Sequence, residues 1–397
     1  MKALLPFAFV ALVVAGGCTE HLTTPGSCPT FCPGGQSIFR DTILTPLPGG
    51  DSSFAGFVAP ASLTSVLASS GGQYGEHRAV IRFLPRGDSV VVSDSSHTFT
   101  VDSVAIELGL QAQDTTVGNF VIELYRLPPT VDSTVALADL DALFTPENLL
   151  AEIPEPVAFR SGVFHVTFSG DSLSKLAFTP SDSSVLEIGL RVRADGPTAA
   201  RFGTPASGTF GPEISSYVKA VGVVDSLAAT TIGRTSETFF TVSAPGAPPP
   251  ASLLAIGGIP VSRSFIRFAL TPFLRDSATI IRATLSLQAD TALVGIPADT
   301  AILVATSVQA DFGAKSPVVA GVEGSLPLLP GMTSADIEVT PLVKLWQGAT
   351  ATPAIIRLAL ADEGGTFLTP LFRSTRSASG APTLRITFRP PFAFEGY

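Results

Sequence analysis

Apolar and polar residues alternate through most of this chain, the two-residue period of a strand with one buried face. Ser103-Val104-Ala105-Ile106-Glu107-Leu108-Gly109-Leu110 and Thr383-Leu384-Arg385-Ile386-Thr387-Phe388 are clear cases. Such runs stop at clusters of Gly, Pro, Asp or Ser, the residues that reverse antiparallel strands. Helical periodicity is scarce. Val135 to Leu143, Pro146 to Glu152 and Leu342 to Gln347 could each form a short helix in a connection. The pattern predicts an all-β protein.

The alternating text also repeats. Arg78-Ala79-Val80-Ile81-Arg82-Phe83 matches Arg263-Ser264-Phe265-Ile266-Arg267-Phe268, 185 positions further on. An alternating strand follows each copy, Val101 to Leu110 and Ile281 to Leu287. Ser174-Lys175-Leu176 then answers Val343-Lys344-Leu345, and the strand at Val185 to Leu190 answers Ala354 to Ala359. Arg201-Phe202 and Phe372-Arg373 mark the last matched stretch. Four blocks in the same order predict two copies of one domain. Arg82 and Arg267 recur at one strand position, which points to a structural role, facing outward or pairing with a carboxylate.

The first residues have a different pattern. Met1-Lys2 precedes an apolar run from Leu4 to Val14, broken only by Pro6 and followed by Ala15-Gly16-Gly17-Cys18. The run is too short for a bilayer, which needs about 20 apolar residues, and suits a secretory signal. Small residues directly before Cys18 resemble the lipobox of bacterial lipoproteins, which implies a diacylglyceryl anchor on the Cys18 thiol. An ordinary signal peptide cut near Ala15 is the alternative. Thr19, where Asp would favour inner-membrane retention, implies outer-membrane sorting in a diderm host. Residues 19 to 38, rich in Thr, Pro, Gly and Ser, read as a flexible tether.

Composition agrees with export and narrows the function. Cys28 and Cys32 are the other two of three cysteines; in an oxidising compartment they could close a small loop. No second Cys pair or His cluster accompanies them, so a metal site is not expected. The formal net charge is −9 with only 14% charged residues, which argues against nucleic acid.

The second copy resembles the DNRLRE-type domain, a carbohydrate-binding-module-like, jelly-roll-like β-sandwich of bacterial and archaeal surface proteins. The resemblance lies in Phe265-Ile266-Arg267-Phe268-Ala269-Leu270, Ala283-Thr284-Leu285-Ser286-Leu287 and Val339-Thr340-Pro341-Leu342-Val343-Lys344-Leu345-Trp346. It continues through Arg373-Ser374-Thr375-Arg376 to Ala381-Pro382-Thr383-Leu384-Arg385-Ile386-Thr387-Phe388. It covers about 236 to 389 and, more faintly, 39 to 222. Arg376 stands where the family has Glu, and Ala269 where it has Asp, so any ligand held by those carboxylates does not carry over. The resemblance implies polysaccharide binding or cell-surface architecture.

Catalysis finds little support in the motifs. His21, His77, His97 and His165 are scattered, and no Gly-x-Ser-x-Gly elbow or phosphate loop occurs. Asp114, Asp171 and Asp195 sit at strand ends, where calcium could bind. Sugar binding needs aromatic platforms: Tyr74, Tyr125 and Tyr217 are the candidates, whereas Trp346 reads as core.

The sequence therefore predicts a non-catalytic cell-envelope lipoprotein, lipid-anchored in the outer membrane. Its parts are a signal peptide (1–17), lipidated cysteine and tether (18–38), two tandem antiparallel sandwiches (39–225 and 236–389) and a C-terminal tail (390–397). The leading expectation is an extracellular surface binding or adhesion module, which could hold polysaccharide. The alternative is a structural subunit of an envelope protein assembly with no small ligand.

Overall fold

The computed structural model describes residues 39–57, 63–154, 162–176, 185–224, 228–244, 249–297, 299–348 and 352–391. Cys18, Cys28, Cys32, the signal, the tether and the tail from 392 lie outside the described residues.

The chain is all-β, as its alternation predicts. It opens with β1 (Arg40–Leu44) and β2 (Asp51–Phe57). Next come β3 (Ser65–Ser70), β4 (His77–Phe83), β5 (Val90–Val92), β6 (Ser95–His97), β7 (Phe99–Gln113) and β8 (Val121–Leu127). A short helix α1 (Leu137–Asp141) leads to β9 (Leu149–Pro154), β10 (Gly162–Ser169), β11 (Leu186–Arg193), β12 (Thr198–Gly203), β13 (Glu213–Ala220) and β14 (Ala229–Ser243). The remainder is β15 (Leu253–Ala255), β16 (Val261–Arg267), α2 (Pro272–Asp276), β17 (Thr279–Gln288), β18 (Ala301–Val308), β19 (Val318–Leu328) and β20 (Ser334–Glu338). Helix α3 (Thr340–Gly348), β21 (Ile355–Leu360), β22 (Leu371–Arg373) and β23 (Thr383–Arg389) complete it.

Strand pairing divides the chain differently from the tandem 39–225 and 236–389 reading. Strand β1 pairs with β23, and β2 with β16. The first strands thus belong with the second copy, and residues 63–243 form a module inserted into it. Strand β14, which contains the expected start at 236, pairs with β4 and β13 inside the inserted module. The reason is edge satisfaction: unpaired N–H and C=O groups along β16 and β23 gain partners from the N-terminal segment.

In the split module, sheet β1-β23-β17-β20 and sheet β19-β18-β21-β16-β2 share one apolar core. Leu285, Ile337 and Ile386 of the first sheet pack in the same core as Ile266, Leu303 and Leu358 of the second. Helix α3 closes it. Trp346 is 1% exposed and donates its indole N–H to Ser307 Oγ at 2.9 Å, a core residue as its spacing predicts.

The inserted module pairs β4-β14-β13-β7-β12-β3 and returns to β4, a barrel-like closed sheet of six strands. Strands β11, β8 and β9 extend it from β4. Leu186, Ile188, Leu190 and Val192 of β11 face the main core. Glu187 and Gly189 therefore face the other side, where Leu140 of α1 and Phe144 form a second apolar layer with Tyr125 and Leu127. Of the expected connecting helices, Val135 to Leu143 contains α1, and Leu342 to Gln347 lies within α3. Pro146 to Glu152 instead runs into β9, because pairing with β8 outweighs a weak local preference.

The repeated arginines hold loops to sheets. Arg267 makes a bidentate pair with Asp311 (2.7 and 2.9 Å), and Arg263 another with Glu363 (2.7 and 2.5 Å). Their counterparts do the same less completely. Arg78 meets Asp141 at 2.8 Å, while Arg82 lies 3.9 Å from Glu237 and opposite Glu187 in register.

Candidate binding site at the seam between the modules

Two surfaces meet where the inserted module sits on the split one. Leu67, Tyr74 and Ala199 of the former pack on Ile296 and Phe367 of the latter. Tyr74 is 6% exposed; its hydroxyl donates to Asp114 Oδ2 at 2.8 Å and approaches the Gly295 carbonyl at 3.4 Å. Burial, reinforced by Asp114, pushes its phenol up to about 12. The His77 ring meets Phe367 edge-on with centroids 5.6 Å apart, and burial beside Arg78 lowers it to about 4.

Beside this apolar contact lies a polar groove of about 440 Å³. Its walls include Thr64, Gln111 and Arg201 from the inserted module and Thr300, Asp362 and Thr366 from the split one. Arg201 on β12 reaches the seam because its neighbours Ala200 and Phe202 turn into the barrel core, and Gln111 on β7 is the extra residue at the register shift opposite Arg201 and Phe202. Thr64 Oγ1 donates to Asp362 Oδ2 at 2.8 Å across the seam. Ser65 Oγ donates to Gln111 Oε1 at 2.7 Å, and Gln111 Nε2 to the Thr64 carbonyl at 3.2 Å.

A second crossing joins Arg201 Nη1 to Asp299 Oδ1 at 2.8 Å, with the Asp299 side chain 2% exposed. Burial raises the Asp299 carboxyl, and the Arg201 charge partly offsets that. Arg201 Nε and Asp299 Oδ2 are buried without a hydrogen bond in the structure. Buried polar atoms are nearly always paired, so this pair has unused capacity beside the groove. The lining offers hydroxyls, an amide and a carboxylate, and its charges do not sum to a net positive.

Of the tyrosines predicted to line a ligand surface, two are corrected. Tyr74 serves the seam from inside. Tyr125 is 3% exposed, its ring tilted 52° against Phe144 with centroids 4.5 Å apart and its hydroxyl donating to Glu123 Oε2 at 3.0 Å. Burial pushes it up to about 12. Neither ring presents a free face. Tyr217 is 46% exposed on β13. It pairs opposite Ser103, eight residues along β7 from Gln111, or roughly 27 Å at strand rise. It lies apart from the groove.

Two of the three aspartates considered for calcium, Asp114 and Asp195, accept hydrogen bonds from neighbouring side chains. Asp114 accepts from Tyr74 and, at its other oxygen, from the Thr116 N–H (2.9 Å) and hydroxyl (2.6 Å). Asp195 accepts from Asn119 at 2.9 Å, and Asp171 lies in the first turn of a 3-10 segment, Gly170–Leu176, after β10. Among the described residues, no three His, Cys, Asp or Glu side chains are grouped to hold a metal ion.

Sequence reasoning missed the groove. Arg201 was visible as a repeat marker, and its alternation with the apolar Phe202 could have signalled a different facing. Asp299 and Asp362 stand in turn-rich text that carries no signal.

No family model matches the chain, and no curated protein matches it. Among solved structures, an allantoicase aligns over 81% of this chain and 93% of its own, at 12% identity and TM-score 0.13. The C-terminal domain of the Streptococcus pyogenes antigen I/II-family protein AspA aligns over 89% and 91%, at 8% identity and TM-score 0.11. Scores this low place the chain in neither fold. What stands is the class: an all-β protein in which one module is inserted into another, with a polar groove at their seam.

Proposed function

We propose that this protein is a non-catalytic binding module of the cell envelope, anchored through Cys18 and holding a hydroxyl-rich polymer such as a polysaccharide. The seam groove carries this reading. Its volume falls in the range of small-ligand sites, and its hydroxyl, amide and carboxylate lining supplies the groups that read sugar hydroxyls, without an aromatic platform among the lining residues. The buried carboxylate of Glu123, away from the groove, is occupied: it accepts from Arg191 at 2.6 Å and Arg193 at 2.7 Å. Although burial opposes it, these bonds hold its carboxyl below the usual range. Such a group braces a sheet and is poorly suited to proton transfer.

A binding screen of the purified chain against neutral, amino and acidic polysaccharides and peptidoglycan tests the reading. Gln111→Ala should abolish saturable binding with the melting temperature nearly unchanged, while Tyr217→Ala should leave binding intact. Binding indifferent to Gln111→Ala, or silence from folded protein, would sink the sugar assignment.

One observation favours a structural-subunit role instead. Val91, Val221 and Val224 are 74%, 53% and 73% exposed near the β5–β6 hairpin, an apolar surface of the kind that docks protein. Silence in the glycan screen moves attention there.

A further inference from the structure

Both termini of the split module emerge at one end. Arg40, which starts β1, stands opposite Phe388 of β23, and Thr279, which starts β17, stands opposite Arg389. Helix α2 joins them there: Phe273 packs edge-on against Phe388 with centroids 5.5 Å apart. This end exposes an unusual amount of apolar side chain. Phe39 is 57%, Phe273 43% and Ile281 44% exposed. Ile281 lies at a register shift between Ile280 and Arg282, and the bulge turns it outward.

The charge here runs against the rest of the molecule. Arg40, Arg275 and Arg389 outnumber Asp41 and Asp276, whereas the whole chain carries −9. Arg282, one step further along β17, is matched by Glu338 at 2.7 Å. Exposed aromatics beside arginines are the composition of a bilayer interface, where rings sit at headgroup level and cations meet anionic lipid.

We propose that this end of the split module seats on an anionic lipid surface, with Phe39 and Phe273 entering the headgroup region and Arg40 and Arg275 facing lipid phosphates. The chain leaves the described residues at position 39 on this same end, 21 positions after Cys18. Fully extended, that length spans about 70 Å, enough to reach a bilayer but too long to orient the module. A second contact made by the fold itself would fix the orientation, as two weak membrane signals together do where one is reversible. The contact rests on the Cys18 anchor only for delivery to the membrane.

Vesicle co-sedimentation separates the two. The protein is the chain from position 18 with Cys18→Ser, which keeps every described residue and removes the apolar run at 4–14 that would itself bind lipid. It should pellet with phosphatidylglycerol–phosphatidylethanolamine vesicles at low salt and far less with phosphatidylcholine alone. Phe39→Ser with Phe273→Ser should lower the partition coefficient roughly tenfold, and Arg40→Gln alone roughly fivefold on anionic vesicles. Val91→Ser, removing a side chain 74% exposed on β5 of the inserted module, should change nothing. Failure of the parent to pellet would overturn the proposal. So would equal binding by the double-Phe variant and by Arg40→Gln at unchanged melting temperature. The mass of the N-terminal peptide from cells reports Cys18 acylation independently, so loss of the anchor and loss of the docking surface are told apart.

Discussion

Replacing Glu187 by Gln should make the protein progressively more stable than its parent as pH rises. Glu187 is fully buried on β11, and neither carboxylate oxygen has a hydrogen-bond partner. Burial lifts its carboxyl from 4.5 to about 7, with Arg82 opposing and Asp132 adding to the rise. The folded protein therefore keeps a proton between pH 4.5 and 7 that the unfolded chain has released. Where the folded state binds more protons, stability falls as pH rises. This group's contribution is complete below about 4.5 and gone above about 7. The shift corresponds to about 3 kcal/mol across that window, roughly 1.4 kcal/mol per pH unit. Gln has the same shape and no titration, so its own unsatisfied amide adds only a constant offset. The observable is the difference between variant and parent, in which the opposite pull of His77 cancels. Thermal unfolding followed by circular dichroism from pH 4 to 8.5 should show the difference in melting temperature moving in favour of Gln by on the order of 5–10 °C. A difference that stays flat across the range would refute the reasoning, because it would mean Glu187 ionises alike in both states.

Trp346→Ala should cost about 3–5 kcal/mol, since it empties the core under α3 and leaves Ser307 without its indole partner; a denaturation midpoint close to the parent's would contradict the packing described. Gly189→Ala should cost about 1–3 kcal/mol, because a Cβ there would stand 2.6 Å from Phe144 Cζ. Phe144→Leu in the same chain should restore part of that loss, and chemical denaturation of both variants checks the pair.

How much of this was legible beforehand depends on whether a property is local. Alternation at Ser103 to Leu110 specified a strand with a buried face, because side-chain direction in a strand follows residue parity whatever the partner. Helical spacing in Leu342 to Trp346 likewise specified a short helix with Trp346 inside. The repeated arginines were legible as structural, and Asp311 and Glu363 show how, although those carboxylates come from loops without any signal of their own. Tyr74 and Tyr125, candidates for a ligand surface, are buried; a tyrosine in an alternating run such as Val121 to Tyr125 has the same text whether its outer face meets water or a second layer such as α1 and Phe144.

The sequence alone determined strand content, the turns, the duplicated order of blocks and the apolar parity of each strand, all of which follow from neighbours a few positions apart. Only the tertiary structure decided that β1 and β2 complete the far end of the chain, with register partners more than 200 positions away. It alone brought Arg201 to Asp299 and Thr64 to Asp362, and buried Glu187 without a hydrogen-bond partner. Strand edges pair with whatever complementary edge is free, and burial depends on what packs on top. Neither is written in the residues nearby.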